Sequence, residues 1–455
     1  MKISFENFRG FKAVGPTEVR PITLLVGENS SGKTSFQAAL RYLLSVSSFL
    51  SQESTGFNQS PFLLGGFEDI AYSRVGRRGT NSNYFSIAVQ RRTHRMSDRN
   101  SVPLAENIAG EYRMSLRFFD WLGQPALQAV EFAVDAKAVL IDFVEMKVVF
   151  KDQEKNRSYE YEVAHEMHPQ LEQTRRIPSS MGIIISQLFF LTFGRDIPSR
   201  RVILSTDAGN EVESFKVVLS TAYHVFFNSS GDLRVLALSP MRTEPKRVYE
   251  VLDAQASPMG AHVPIRLAQE KVQEIESWNL KRDYFSRFGK EAGLFSNIDI
   301  RRLGSTQNDP FQIMVSVGGK KRNIVDVGYG VSQVLPLLYE MAETSRRKLL
   351  LMQQPEVHLH PKAQAELGSL IVDTHSRMKH NFVVETHSDF IVDRIRNHIR
   401  LGELKPSQVS LLYFHRPKDE LVISHIELDD RGDVVSPPID YRDFFYREEK
   451  NLFGF

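Results

Sequence analysis

The chain contains no cysteine. That absence excludes disulfides, thiolate zinc sites and cysteine nucleophiles, and it suits a reducing compartment. A dominant charge sign is also missing, because 57 basic residues face 55 acidic ones and leave a net charge of +2. No global field therefore marks the molecule as a nucleic-acid binder, although local patches can still act. Long apolar runs are absent too. The most apolar stretch, Met181 to Phe193, is interrupted by Gln187 and falls short of the roughly 20 residues that span a bilayer, so a buried helix is expected there. The opening MKISFENFRGF mixes charges without an apolar run, and no signal peptide is expected. A soluble, cytoplasmic protein without membrane contact follows as the expectation. No sustained heptad pattern exists, which argues against a long coiled-coil arm, and no internal repeat is found.

What is present is ordinary globular material: 455 residues, 42% hydrophobic and 25% charged, enough for one large α/β unit with insertions or for two domains. Ile3, Phe5 and Phe8 predict a half-buried first strand, and Ile22 to Val26 a second that ends at Gly27. Phe36, Leu40, Leu43 and Leu44 then recur at helical spacing. Short β-rich runs at 84–89, 113–119, 129–134 and 144–150 look antiparallel, with turns at Leu122-Gly123-Gln124 and near Lys151-Asp152. Further strands are predicted at 216–219 and 233–238, and helix from 264 to 295. The rest alternates: a hairpin of 311–317 and 323–327 around Gly318-Gly319, helix 332–345, strand 349–352, helix 362–379, and strands 382–384 and 409–414. Such alternation predicts a parallel sheet. The expected architecture is an α/β nucleotide-binding head, with a mixed sheet and flanking helices, split by a β-rich and helical insertion. Its boundaries are placed at 1–83, 84–238 and 239–455.

Gly27-Glu28-Asn29-Ser30-Ser31-Gly32-Lys33-Thr34 matches G-x-x-x-x-G-K-[ST] between a strand and a helix, the context that this motif requires. Glycines let backbone N–H groups turn inward around phosphates at a helix N-terminus. Lys33 is expected to reach the β- and γ-phosphates and the Thr34 hydroxyl to bind Mg²⁺, with Ser35 next in line. A second constellation follows the apolar strand Leu349-Leu350-Leu351-Met352, which delivers Gln353, Gln354 and Glu356 at its carboxyl end, where parallel sheets place ligands. Pro361 opens the next helix. A third is Glu385-Thr386-His387-Ser388 after strand 382–384, where a histidine can sense a phosphate or orient water.

The glycine loop, then Gly330-Val331-Ser332-Gln333, then PEVHLHP and ETHS, in that order, resembles the ABC-type ATPases. The match is closest to the branch related to RecF and to the overcoming-lysogenization-defect proteins, found in many bacterial anti-phage systems. ENFRGFK at the start and SPMRTEPKRVY at 239–249 look like that branch as well. The resemblance covers the first 80 residues and 239–455. It implies ATP and Mg²⁺ as cofactors and a homo-oligomer whose sites are shared between two heads, with Ser332, Gly330 and Gln333 contacting the γ-phosphate in trans. It makes His387 the switch histidine and sets Arg9 and Lys12 near the nucleotide. Gln59 is a weak match for the sensing glutamine.

One departure matters. Where the family carries a Mg²⁺ carboxylate and an adjacent catalytic glutamate, this chain has Gln353 and Gln354. An amide oxygen can bind a metal weakly but is a poor general base. Glu356 or Glu385 supplies the carboxylate, or hydrolysis is slow, or the pair is an inactivating substitution. His358 and His360 alternate before Pro361 without a third metal ligand at useful spacing, and packing between heads is the favoured role. No HExxH motif is present. Seven arginines between Arg74 and Arg99, with one acid, Asp98, form a patch that suits either nucleic-acid phosphates or a solvated hairpin face. Arg175-Arg176 and Lys320-Lys321-Arg322 read as ordinary surface.

Two functions follow. One is an ATP-driven switch that controls a nuclease or toxin; no nuclease motif is recognised and little chain follows the β-rich tail, so the effector is expected to be a separate polypeptide. The other is a nucleotide-stabilised scaffold with little hydrolysis. A DNA-repair ATPase that clamps duplex DNA is disfavoured by the missing coiled coil.

Overall fold

The computed structural model describes residues 1–46, 56–73, 82–93, 110–162, 233–250, 255–344, 346–417, 420–438 and 440–441, with a few positions between 172 and 226. The chain forms two compact units, one made of Met1–Val19, Ser35–Asp232 and Arg416–Ile423, the other of Arg20–Thr34, Leu233–His415 and Ser424–Phe455. These divisions do not follow the expected cuts at 84 and 239. The amino-terminal strands belong to the β-rich unit because their backbone partner is there.

In the first unit, β1 (Lys2–Phe8) and β2 (Phe11–Glu18) join β6 (Tyr84–Thr93), β7 (Gly110–Trp121), β8 (Gln124–Val134), β9 (Lys137–Asp142), β10 (Lys147–Asp152) and β11 (Arg157–Glu162). The order is β11-β10-β9-β8-β7-β6-β1-β2, antiparallel throughout. Period-2 alternation explains the buried face: Tyr112, Met114, Leu116 and Phe118 of β7 point inward. The predicted turn at Leu122-Gly123 is a two-residue hairpin loop with φ of 54° and 78°, as a tight antiparallel connection requires. The second predicted turn falls after β10, at 153–156, and β9 and β11 are strands that the sequence pattern did not separate. A short hairpin of β4 (Asn58–Gln59) and β5 (Phe62–Leu63) precedes α2 (Phe67–Ile70). Helix α1 (Lys33–Val46) contributes Phe36 and Tyr42 to an aromatic core in which Tyr42 stacks on Phe57 at 4.1 Å and Phe85 on Phe118 at 4.9 Å. The strand predicted at 216–219 is replaced by helix at positions 218 and 219.

The second unit holds a seven-stranded sheet in the order β12 (Arg234–Leu238), β16 (Lys348–Gln353), β17 (Asn381–Glu385), β3 (Ile22–Gly27), β18 (Val409–His415), β19 (Val422–Leu428) and β20 (Val434–Val435). From β12 to β18 neighbouring strands are parallel. All six residues of β16 are buried, as a strand covered on both faces must be. Among the described residues this unit has the α-helices α3 (Val263–Gln273), α4 (Ile275–Ala292), α5 (Tyr329–Ala342), α6 (Pro361–Met378) and α7 (Asp389–Arg400). A small sheet of β13 (Asn297–Arg302), β14 (Phe311–Val317) and β15 (Lys320–Asn323) completes it. The second strand of this hairpin is shorter and earlier than expected, since 324–326 closes into a 3-10 turn capped by Asn323. Among the described residues no helix is long and apolar enough to cross a membrane.

Ionic pairs inside this unit fix its helices. Lys348 and His262 converge on Glu340 at 2.8 and 3.0 Å, and Lys281 bridges Glu270 and Glu343 at 2.6 and 3.0 Å. Burial alone would raise the Glu340 pKa, but the hydrogen bond from His262 and the Lys348 charge outweigh it and carry the pKa down to about 2. The sign follows from linkage: the pair stabilises the fold above the ordinary value of 4.5, and this contribution is lost as pH falls toward 2. Glu340→Gln is expected to cost about 3–5 kcal/mol at neutral pH, because it leaves Lys348 buried and uncompensated. Urea unfolding at pH 7 and pH 3 checks this, and the gap between the two proteins should narrow in acid.

Candidate nucleotide site

Strand register assembles the site. Gln353 lies opposite Glu385, and Glu385 opposite Leu25. The residues leaving three adjacent parallel strands, Gln353-Gln354, Glu385-Thr386 and Gly27-Glu28, therefore emerge side by side at the carboxyl edge, where open α/β sheets hold ligands.

The loop after β3 is built from left-handed turns: φ is 133° at Gly27, 58° at Ser30 and 95° at Gly32. A Cβ on Gly27 would stand 2.1 Å from the Phe414 carbonyl oxygen, so this close approach demands glycine. Glu28, Asn29 and Ser30 are exposed at the loop tip, while Ser31 is buried and donates to the Glu28 carbonyl at 2.7 Å. The Lys33 ammonium is buried and donates to the carbonyls of Gly27 and Glu28, at 3.0 and 2.5 Å. Burial lowers its pKa, opposed by the charges of Glu385 and Glu28. These neutral acceptors are weaker than a phosphate oxygen, so the ammonium is poised for an anion at the N-terminus of α1.

Thr34 donates its hydroxyl to Glu385 Oε2 at 2.9 Å. Of the two carboxylates considered for the departure at 353 and 354, the structure brings Glu385 to the loop. Glu356 instead points inward. Its Oε1 accepts the His387 N–H at 2.7 Å, and the Thr386 hydroxyl also bonds it. Burial raises the pKa of both acids, and the neighbouring Glu356 charge adds to the rise at Glu385. Gln353 is buried at the end of β16, and its amide nitrogen has no partner. Gln354 adopts φ of 41°, and its N–H donates to the Glu385 carbonyl at 2.8 Å. A non-glycine residue held there costs about 1–3 kcal/mol, a cost that concentrates at functional sites.

The donor set fits magnesium nucleotide. Mg²⁺ prefers oxygen ligands, and the Thr34 hydroxyl, the Glu385 carboxylate and the amide oxygen of Gln353 are of that kind at the strand ends. The glycine turns and Lys33 suit phosphate. The His387 side chain is exposed; partial desolvation of its ring and the Lys33 charge lower its pKa, which keeps it neutral at physiological pH. Ser388 caps α7 by accepting the Ile391 N–H at 3.2 Å.

Other expected site residues are placed differently. Ser332 and Gln333 are buried, and the Ser332 hydroxyl donates to the Tyr329 carbonyl at 2.7 Å, so both are turned into the fold that carries them. A Cβ on Gly330 would approach the His358 carbonyl to 2.6 Å, so glycine lets α5 begin against the loop after β16. The His358 ring meets Tyr329 edge-on at 4.9 Å, and His360 caps α6 by accepting the Lys362 N–H. These contacts account for both histidines. Among the described residues no cluster of three or more His, Asp or Glu could hold a metal. Arg9 belongs to the first unit, where its guanidinium donates to the carbonyls of Leu64 and Asp69 at 3.1 and 3.0 Å. Lys12 is exposed and Ser35 buried in that same unit, and the Gln59 carbonyl there accepts Arg41. Within the arginine patch, Arg91 is turned inward, donating to the Val225 carbonyl at 2.8 Å and lying over the Phe226 ring. Arg92 is exposed, and Arg74, Arg77, Arg78, Arg95 and Arg99 lie outside the described residues, as do Arg175, Arg176 and 181–193.

Two features escaped the sequence reading. Arg242, inside SPMRTEPKRVY, is buried with no partner for its side-chain nitrogens; only its place in that motif could have flagged it. Ser369, His398 and Glu403 form a chain, with His398 3.0 Å from Ser369 and 2.5 Å from Glu403. Ser369 sits in the middle of α6, where helix bonds occupy the neighbouring N–H groups and leave no oxyanion donors. Arg394 also donates to Ser369 at 2.9 Å and pairs with Glu366. The array fastens α6 to α7.

A family model described as an AAA ATPase domain matches residues 250–392, and one described as an AAA domain matches 2–195. Among solved structures, this chain is similar to an SMC head bound to the C-winged helix domain of ScpA, with 12% identity, 94% of this chain and 97% of that chain covered, and a TM-score of 0.43. It is also similar to a Pyrococcus furiosus Smc head domain with an extended coiled coil bound to the C-terminal domain of ScpA (10% identity, 94% and 96% covered, TM-score 0.43). A third is the SMC head domain from Thermotoga maritima (10% identity, 94% and 98% covered, TM-score 0.38). No curated protein matches. The loop at the carboxyl edge of a mixed α/β sheet and the two domain matches support a P-loop ATPase of the AAA type.

Proposed function

We propose that this protein is a Mg²⁺-dependent ATP switch in which Glu385 serves the metal and water-activating role left open by Gln353 and Gln354. The observation that carries the reading is the 2.9 Å hydrogen bond between the Thr34 hydroxyl and the Glu385 carboxylate beside buried Lys33. In this reading Lys33 and the loop N–H groups bind the β- and γ-phosphates. Thr34, Glu385 and Gln353 hold Mg²⁺, which supplies charge neutralisation when bound. The Glu385 carboxylate accepts the proton of the attacking water, and His387 orients that water.

Two copies close on ATP, each offering the start of α5 to the loop of the other. Support comes from exposed Tyr329 at that helix start and from the N-terminal dipole, which favours phosphate. Ser332 must leave its Tyr329 acceptor to reach across. Closure controls a separate effector, a nuclease or toxin, in an anti-phage system; this part rests on the sequence resemblance. Light scattering with and without ATP and Mg²⁺ tests the shared site. The expected result is a doubling of mass that Lys33→Ala lacks, and a mass unchanged by ATP contradicts it.

The scaffold reading keeps one observation of its own. The two glutamines stand where carboxylates are usual, and binding without phosphate release would favour it.

A further inference from the structure

Gln364 stands on the first turn of α6, and its side chain bonds both to the loop that follows β16 and to the turn that follows β17. Its amide nitrogen donates to the Leu359 carbonyl at 2.8 Å, and its amide oxygen accepts the Ser388 hydroxyl at 2.6 Å. The neighbours fix this orientation. A carbonyl only accepts, whereas the Ser388 hydroxyl, which already accepts the Ile391 N–H, has its proton to give. A carboxylate at this position supplies only the half that faces Ser388.

Each end of the bridge leads to a part of the nucleotide site. At one end is the loop against which α5 begins: a Cβ on Gly330 would come within 2.6 Å of the His358 carbonyl, and the Tyr329 and His358 rings meet edge-on. At the other, buried Ser388 directly follows His387, whose side chain reaches solvent. The His387 N–H is held by Glu356 Oε1 at 2.7 Å and the Ser388 N–H by the Thr386 hydroxyl at 3.0 Å. The direction of the exposed ring therefore depends on how this turn is fastened, and Gln364 is its link to the Leu359 carbonyl.

We infer that Gln364 is a positioning residue that makes the loop beside α5 and the Thr386-His387-Ser388 turn one piece, so that closure at α5 sets His387 against the γ-phosphate. This rests on the shared-site reading above and names a residue that reading does not use.

The test compares the whole protein with Gln364→Met, Gln364→Glu, His387→Ala and each Gln364 change combined with His387→Ala. Methionine keeps the length and helix preference of glutamine and removes both bonds; glutamate keeps an acceptor for Ser388 and removes the donor to Leu359. Amide hydrogen exchange at 386–388, measured without nucleotide, should quicken about 10-fold in Gln364→Met and less in Gln364→Glu. Turnover at saturating ATP should fall at least fivefold in both, while KM stays within twofold and the ATP-dependent doubling of mass is kept. In the His387→Ala background either Gln364 change should cost less than a further twofold, because it acts through that ring. Unchanged exchange or unchanged turnover overturns the inference. So do losses that multiply in the double variants, or a loss of assembly that matches the loss of turnover. If only the methionine variant fails to fold, the glutamate variant carries the comparison; if neither folds, Gln364 is a structural residue and the inference is overturned. If the wild-type chain shows no turnover, the ATPase reading fails, and the exchange measurement still decides whether Gln364 holds the turn.

Discussion

Lys33→Ala is expected to abolish ATP turnover and to weaken ATP binding by at least 10- to 100-fold. The ammonium is the buried cation of the phosphate loop, where it donates to the neutral carbonyls of Gly27 and Glu28 and to the Ser31 hydroxyl oxygen. Charge-assisted hydrogen bonds contribute about 1.5–3 kcal/mol each, and 1.4 kcal/mol is a factor of ten in affinity. The fold should survive. The substitution removes a desolvated cation whose burial lowers its pKa, so the melting temperature should stay level or rise. Equilibrium binding of a fluorescent ATP analogue, beside circular dichroism, separates loss of the site from loss of the fold.

Glu385→Gln is expected to lower turnover by about 10²–10³, the range for removing a group that stabilises charge in a transition state, while ATP still binds. Among the described residues of the site, this is the carboxylate that accepts the Thr34 hydroxyl of the loop. Glutamine preserves the Thr34 hydrogen bond and removes the charge and the base. Gln354→Glu should change turnover far less, because Gln354 is set in a left-handed turn with its N–H tied to the Glu385 carbonyl. If Gln354→Glu instead restored a Glu385→Gln chain to full rate, the base would belong at position 354. Phosphate release by the two single variants and their combination measures this.

Much of the site was legible because its signals are local. The glycine loop, the apolar run of β16 and Pro361 each announce backbone geometry over a few residues, and each element formed within one to three residues of its predicted bounds. What escaped depends on distant partners. Alternation in β1 and β2 gives the buried face, yet nothing in 2–18 says that β1 pairs with β6 at 84–93, so the partners of the amino-terminal strands could not be read. The choice between Glu356 and Glu385 had the same origin. Both follow sheet strands, and only the register of β16, β17 and β3 turns one toward Thr34 and the other inward to the His387 backbone. Ser332 and Arg9 were placed by resemblance; in the folded chain each is engaged with nearby carbonyls, Tyr329 for one, Leu64 and Asp69 for the other. Arg242 carries no periodicity at all, and its burial appears only in the fold.

The most direct test of the account is phosphate release from ATP by the wild-type protein, with Mg²⁺ and with the metal chelated. The account predicts turnover that requires Mg²⁺ and disappears in Glu385→Gln. Tight ATP binding with no release in either condition would contradict it and leave a nucleotide-stabilised scaffold in its place.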